Sequence, residues 1–178
     1  GGNSNGQLGD GTSTDRNIPT AVSIPEPYKL LAISVGFGAC GLVDNGSVVC
    51  WGPDGLGNNN YSPVQISSFG LAKTAVAISK GGGFSCALLN DGSVSCWGNN
   101  VNGQLGDGTI TSRSTPAPTS TLGSDRHAIS ISSSDGHACV LLDDYSIKCW
   151  GYNPYGALGD GTTTSRNVPT SVSTLNST

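Results

Sequence analysis

The chain has 178 residues and a formal net charge of −4, with only 8 lysine and arginine side chains scattered along it. So few cations cannot neutralise a row of phosphates, and no stretch approaches the roughly 20 apolar residues of a membrane span. We therefore expect neither nucleic-acid binding nor membrane insertion. The 27 glycines and 9 prolines, with few runs of strong helix formers, predict many turns.

Two motifs alternate along the chain with a period of about fifty residues. One is a glycine-rich stretch of the form GQLGDGT, with alanine for glutamine in the third copy, followed four residues later by arginine; it begins at Gly6, Gly103 and Gly156. It is eroded to PDGLGNNNYSPV after the first tryptophan. The other begins with Ala-Ile-Ser and ends in Cys-Trp-Gly, at Trp51, Trp97 and Trp150. Because the chain ends by restarting its opening pattern, we expect it to be cut from a longer array.

Short alternating strands repeated at this period are typical of propeller blades, whereas helical repeats would show a 3.6-residue periodicity. We predict an all-β chain of β-propeller blades, each a four-stranded antiparallel sheet, in a partial array of about three and a half repeats. Residues 1–178 would form one propeller segment. Its leading half-unit is 1–19, and its units are about 20–66, 67–118 and 119–172.

The hairpin from Cys86 to Cys96 can be worked out from its turn. Closing residues 90–92 as a three-residue loop, with glycine in the left-handed region, places Leu88 opposite Val94. The same register places the two cysteines directly opposite each other on one face.

The other two hairpins have the same cysteine spacing. The turn before Ser47 closes in the same way and pairs Cys40 with Cys50. In the third hairpin Tyr145 replaces the left-handed glycine, so we predict a distorted turn between Cys139 and Cys149.

This geometry predicts three cross-strand disulfides. Reduced core cysteines or zinc ligands are the alternatives, although zinc sites favour close C-x2-C pairs and histidine support. Disulfides persist only in oxidising surroundings, which predicts an extracellular or cell-surface location.

The stretch Trp-Gly-x-Asn-x-x-Gly-Gln-Leu-Gly from Trp97 to Gly106, with the preceding DGSVxCWG, resembles the regulator-of-chromosome-condensation repeat family. The resemblance covers essentially the whole chain and implies a propeller, usually of seven blades. The ring is therefore incomplete within this chain. Either the remaining blades belong to a longer protein, or further copies of the chain close the ring, or the array stays open as a filament. Members include a nuclear exchange factor for a small GTPase and secreted bacterial proteins such as a β-lactamase inhibitor. The cysteines point to the secreted branch.

Acidic and basic residues recur six positions apart in the glycine-rich motif. One loop could bring each carboxylate to its guanidinium as a structural ion pair, since such pairs are common. A calcium loop is the alternative, but one carboxylate per motif is too few unless backbone carbonyls supply most ligands. The candidate pairs are Asp10 with Arg16, Asp107 with Arg113, and Asp160 with Arg166.

The eroded segment departs most from the repeat and is the candidate contact loop, through Asn58, Asn59, Asn60 and Tyr61. Deletion drift would explain it equally well. The tryptophans occupy one position per unit, which favours packing over ligand stacking. Glycosylation sequons begin at Asn45, Asn60 and Asn176.

No arrangement of residues predicts catalysis, a metal or a cofactor. We expect a non-enzymatic extracellular propeller scaffold that binds a protein partner or further copies of itself. The alternatives are a structural assembly unit of a filament, matrix or multi-chain propeller, and a secreted enzyme inhibitor or GTPase exchange-factor-like module.

Overall fold

The computed structural model describes residues 1–173, which form twelve strands and no helix. The sequon at Asn176 lies outside these residues. Because residues 1–173 contain no helix, no part of them could cross a membrane as one. The strands are β1 Leu30–Val35, β2 Ala39–Val43, β3 Val48–Pro53, β4 Asn59–Gln65, β5 Ala75–Lys80, β6 Phe84–Leu89, β7 Val94–Gly98, β8 Arg113–Pro118, β9 Ala128–Ser133, β10 His137–Leu142, β11 Ile147–Gly151 and β12 Arg166–Ser171.

The strands form three antiparallel four-stranded sheets in chain order, β1 to β4, β5 to β8 and β9 to β12. The predicted all-β architecture of four-stranded blades is confirmed. Each sheet is a meander, so its order in space is its order in sequence. Contacts between β1 and β5, and between β5 and β9, place the first strands of the sheets side by side.

The cysteine hairpins have the predicted register. Cys86 lies opposite Cys96 and Leu88 opposite Val94, and the other two cysteine pairs align in the same way. The structure contains disulfides Cys40–Cys50, Cys86–Cys96 and Cys139–Cys149, and none of the cysteines is free.

The predicted distortion of the third hairpin turn is wrong. Tyr145 adopts φ 65°, close to the 78° and 76° of Gly46 and Gly92. Its backbone N–H donates to the Leu142 carbonyl, as the N–H groups of those glycines do to Val43 and Leu89. Tyr145 is exposed, so its side chain meets no steric obstacle and the turn is kept at the cost of an unfavourable backbone conformation.

The third repeat is offset from its apparent sequence alignment. Ala32 pairs with Leu42 in the first sheet, whereas Leu141 of the third sheet pairs with Ser130. Ala128-Ile129-Ser130 is therefore two residues out of structural register with the first Ala-Ile-Ser.

Two apolar clusters hold the sheets together. Leu42 and Val48 of the first sheet pack with Leu89 and Trp97 of the second. Cys86, Leu88 and Val94 on the opposite face of the second sheet pack with Val140 and Trp150 of the third. Both faces of the second sheet are thus covered, as an inner blade requires.

Candidate functional site

Three copies of one loop are held by a buried asparagine. We call residues 3–16, 100–113 and 153–166 the repeat loops. In the second, the fully buried Asn100 side chain donates to the Thr109 and Thr111 carbonyls at 3.2 and 3.1 Å. It accepts from the Leu105 backbone N–H at 2.9 Å. Asn3 and Asn153 make the equivalent bonds in the other repeat loops.

The candidate aspartates and arginines meet inside these repeat loops. The Arg Nε to Asp Oδ2 distances are 2.8 Å for Arg16 and Asp10, 2.6 Å for Arg113 and Asp107, and 2.8 Å for Arg166 and Asp160. Each aspartate side chain is 3–4% exposed. Each also accepts a hydrogen bond from the threonine two residues later and from the buried asparagine.

Hydrogen bonding keeps these carboxylates ionised. Bonds from Thr162 and Arg166 lower the pKa of Asp160 to about 2. Thr12 and Arg16 likewise hold the pKa of Asp10 well below its usual range. Burial raises the pKa of Asp107, but its own threonine and arginine bonds outweigh that effect and lower it. With every oxygen engaged inside its own loop, these aspartates stabilise the loop.

Two repeat loops lie over the tryptophan of the following sheet. The Trp51 indole N–H donates to the Gln7 carbonyl at 3.1 Å, and Trp150 donates to the Gln104 carbonyl at 2.9 Å. A Cβ added at Gly106 would lie 2.7 Å from the Trp150 indole, so the loop can lie this close only because it has glycine there.

The equivalent loop of the first sheet is too short to cover Trp97. We call residues 53–59 the short loop; the other repeats have 99–112 and 152–165 at this place. Asn60 pairs with Gly52 where arginines pair with Gly98 and Gly151, so the ion pair is lost as well. Asp54 organises the short loop by accepting from the Leu56 and Asn58 backbone N–H groups at 2.7 and 3.1 Å.

A cleft of about 180 Å³ lies where the longer loop would be. Trp51, Asp54 and Leu56 line it from the first sheet, and Lys80, Ser85, Trp97 and Ser114 line it from the second. We call this space the cleft.

Lys80 is the one cation among the residues that line the cleft. It is 5% exposed, and its amine makes no ion pair or hydrogen bond within residues 1–173. Burial lowers the pKa of this amine to about 8, an effect that the negative charge of Asp54 partly offsets. At neutral pH the amine is therefore mainly cationic, and the largely buried residue that carries it lines an open space.

Two of the four candidate contact residues lie at the short loop and the cleft, and the other two contact the first repeat loop. The exposed Asn58 side chain donates to Asp54 at 2.7 Å, and Asn60 lines the cleft. Asn59 donates to Asn5, and the Tyr61 carbonyl accepts from the Gly11 N–H, so these two hold the first repeat loop.

Sequence reasoning missed the buried asparagines and Lys80. The asparagines could have been found, because Asn100 and Asn153 each stand three residues after a tryptophan while Asp54 follows Trp51 at the same spacing. Lys80 carries no such signal, since only the fold brings it beneath the eroded loop. Within residues 1–173 no three His, Cys, Asp or Glu side chains are grouped as metal ligands.

These sheets, loops and stacked faces define a β-propeller repeat protein. Two models described as the regulator of chromosome condensation (RCC1) repeat match residues 91–141 and 149–178, and residues 75–104 and 128–157. The chain belongs to the RCC1 repeat family.

Known proteins agree with this assignment. The ultraviolet-B receptor UVR8 of Arabidopsis thaliana is 29% identical over 174 residues, covering 92% of this chain and 39% of UVR8. Human WBSCR16 superimposes with a TM-score of 0.79 at 17% identity, over 98% of this chain and 47% of that one. Prp20p from Saccharomyces cerevisiae gives 0.70 at 23% identity, over 85% and 38%. The chain thus spans less than half the length of each relative.

Proposed function

We propose that this chain is a non-enzymatic scaffold that binds a protein partner through the cleft between its first and second sheets. The observation that carries the proposal is the open cleft over Trp97, whereas the two equivalent tryptophans, Trp51 and Trp150, are each covered by a loop of the chain itself. A surface built to receive a polypeptide loop is left without one.

The family supports a protein as the ligand. Yeast RCC1 (Prp20) has been crystallised bound to Kap60, and Prp20p is described with binding properties to Gsp1p and histones. The cleft itself favours a peptide segment over a large cofactor, because small-molecule pockets usually hold roughly 300–1,000 Å³. About 180 Å³ suits one or two residues of an inserted loop.

The three disulfides support work in an oxidising compartment, and we propose an extracellular or cell-surface location. Cys40 and Cys86 are fully buried between sheets, so their disulfides are shielded from reductants by the packed blades.

Site-directed photocrosslinking tests the proposal. A benzoylphenylalanine placed at Leu56, which lines the cleft, should capture one protein from the native secretome. The matched control places it at Leu71, which is 99% exposed and outside the cleft. Filling the cleft with Ser114→Trp should remove the adduct, and the purified partner should then bind wild-type protein but not this variant.

Adducts that form equally from both positions, or that persist in Ser114→Trp, would contradict binding through the cleft. Circular dichroism and thermal unfolding of Ser114→Trp would verify that the variant folds, since Ser114 is exposed and an added ring meets little obstruction.

A second candidate function is assembly of copies through the third sheet. Its outer face leaves Ile147 44% exposed, whereas the equivalent Val48 and Val94 are 0% and 1% exposed beneath a neighbouring sheet. Native mass that rises with concentration, and that falls in Ile147→Asp, would support self-assembly. A monomer at every concentration would exclude it.

A further inference from the structure

We infer that the cleft recognises a carboxylate carried by a tight loop of the partner protein, with Lys80 as the residue that selects the acid. This inference rests on the proposed function and specifies its ligand. It follows from the residues that line the cleft and from the contacts of the two tryptophans that a repeat loop covers.

The first argument is the unpaired charge. Burying an ammonium group without a partner is unfavourable, so buried lysines normally find a carboxylate or lose their proton. Within residues 1–173 Lys80 has no such partner within ion-pair distance. Its structural equivalents, which pair with the residue before the first cysteine, are Val35 and Ser133. The lysine therefore occurs only at the junction that is open.

Asp54 does not fill this role. Its Oδ1 accepts from Leu56 and Asn58 backbone N–H groups at 2.7 and 3.1 Å, and its Oδ2 accepts from the Asn58 side chain at 2.7 Å. Both oxygens thus hold the short loop, and the amine of Lys80 stays available to a carboxylate from outside. Asp54 also repels a second anion, which restricts the incoming carboxylate to the side of the cleft formed by the second sheet.

The second argument is an unused indole donor. Trp51 and Trp150 each donate to a backbone carbonyl of a repeat loop. Among the described residues, Trp97 has no such acceptor, although it lines the cleft and packs on Phe69 at a ring separation of 6.0 Å. An incoming loop that offers a backbone carbonyl to Trp97 reproduces the contact that the repeat loops make with Trp51 and Trp150.

The two donors together define the ligand. A backbone carbonyl and a carboxylate on adjacent residues are what a glycine-rich loop with one acidic residue carries. The repeat loops themselves have this composition, with Gly106 lying flat on Trp150 beside Asp107. A glycine-rich partner loop whose aspartate, unlike Asp107, has no arginine or asparagine partner of its own therefore fits the cleft in shape and charge.

Nuclear magnetic resonance with two synthetic peptides tests the inference. The probes are acetyl-Gly-Gln-Leu-Gly-Asp-Gly-Thr-amide and the same peptide with asparagine in place of aspartate. The chain has 3 tryptophans, so its indole N–H resonances are few, and Trp97→Phe assigns the one that matters. Titration of each peptide into the full chain near pH 7 gives an affinity at Trp97.

The acidic peptide should shift the Trp97 resonance and bind about tenfold more tightly than the amide peptide, since a charge-assisted hydrogen bond is the stronger kind. Lys80→Gln should remove this preference, and Lys80→Met provides a second variant if the glutamine variant folds poorly. Lys73→Gln is the control, because Lys73 already pairs with Asp91 at 2.8 Å on the surface; it should keep the preference.

Equal affinity for the two peptides, or a preference that survives Lys80→Gln and Lys80→Met, would overturn the carboxylate inference while the cleft remains a loop-binding site. No shift at Trp97 with either peptide, together with the absence of a photocrosslinked partner, would overturn the proposed function as well.

Discussion

The junction between the second and third sheets and the junction between the first and second differ by one loop. At the former, residues 100–113 cover Trp150, and the indole bonds to the Gln104 carbonyl. At the latter, the loop is reduced to residues 53–59, and a cleft lies over Trp97. The strand pairings beneath the two loops are otherwise alike.

This difference separates what holds the array together from what can vary. The sheets pack through apolar side chains in both junctions, so the fold does not require a long loop at each one. Where the loop is shortened, a cleft remains in its place. A largely buried lysine and a tryptophan with an unused indole donor line that cleft. A repeat protein can thus create a binding site by shortening one loop, with its core unchanged.

Breaking the filled junction should have the largest effect. Asn100→Ala removes the side chain that bonds to Leu105, Thr109 and Thr111, and it leaves the buried Leu105 N–H and two partly buried carbonyls without their partner. A buried unsatisfied group costs about 1–3 kcal/mol and one that water can reach costs less, so we expect a loss of about 3 kcal/mol in the free energy of unfolding, measured by urea denaturation.

Asp54→Ala is the matched control in the short loop, where the bonded groups are partly exposed. It should cost about 1 kcal/mol, because water can replace the lost hydrogen bonds. Similar losses for the two variants would contradict the distinction between a loop that stabilises the junction and one that does not.

The fold follows from the sequence because its signals are local and repeated. Cysteine spacing and a three-residue turn fix the register from Cys86 to Cys96, and repetition then gives three sheets. The turn at Tyr145 differs from the prediction because the steric penalty for a non-glycine residue in the left-handed region does not decide its conformation. The Tyr145 side chain is exposed, and the strands on both sides hold the turn in place.

The cleft is less predictable for a physical reason. The eroded loop is visible in the sequence, but what lies beneath it depends on which residues of the next sheet face it. Lys80 ends a strand whose equivalents end in Val35 and Ser133, and only packing of the sheets brings it to the same cleft as Trp51 and Trp97. Composition and spacing carry no information on that contact.

Replacing the buried amine should increase the stability of the fold, whereas Asn100→Ala should decrease it. Because burial lowers the pKa of Lys80 from 10.5 to about 8, Lys80→Met should stabilise the fold at neutral pH by about 3 kcal/mol. Between these two pH values the unfolded wild-type chain binds the extra proton, so wild-type stability should rise with pH there. The variant should show no such rise in urea unfolding.

Lys73→Met is the control, since that amine lies in a surface pair and its loss should change stability by less than about 1 kcal/mol. A Lys80→Met variant that is less stable than wild type at pH 7 would show that the amine stabilises the junction, against a role kept for binding.

The losses of stability on replacing Trp150 and Trp97 should differ by a smaller amount. Trp150→Phe and Trp97→Phe remove the same volume, but only the former leaves a buried carbonyl, that of Gln104, without its donor. The cost should be greater for Trp150→Phe by about 1 kcal/mol in thermal or urea unfolding. Equal costs would mean that the loop contributes nothing through this bond.

The smallest effect should come from the ion pair that the short loop lacks. Arg113→Gln removes a partner that is 39% exposed, and the loss should be below about 1 kcal/mol. The pKa of Asp107 is lowered in the folded protein, so its ionised form stabilises the fold at neutral pH and that contribution disappears on acidification. The variant should therefore lose less stability than wild type as the pH falls through and below the ordinary aspartate pKa of about 4. Asn60→Gln, at the same register beside the short loop, should leave the acid profile unchanged, because the Asn60 side chain bonds to no aspartate within residues 1–173. A matching change in both variants would assign the acid sensitivity to other carboxylates.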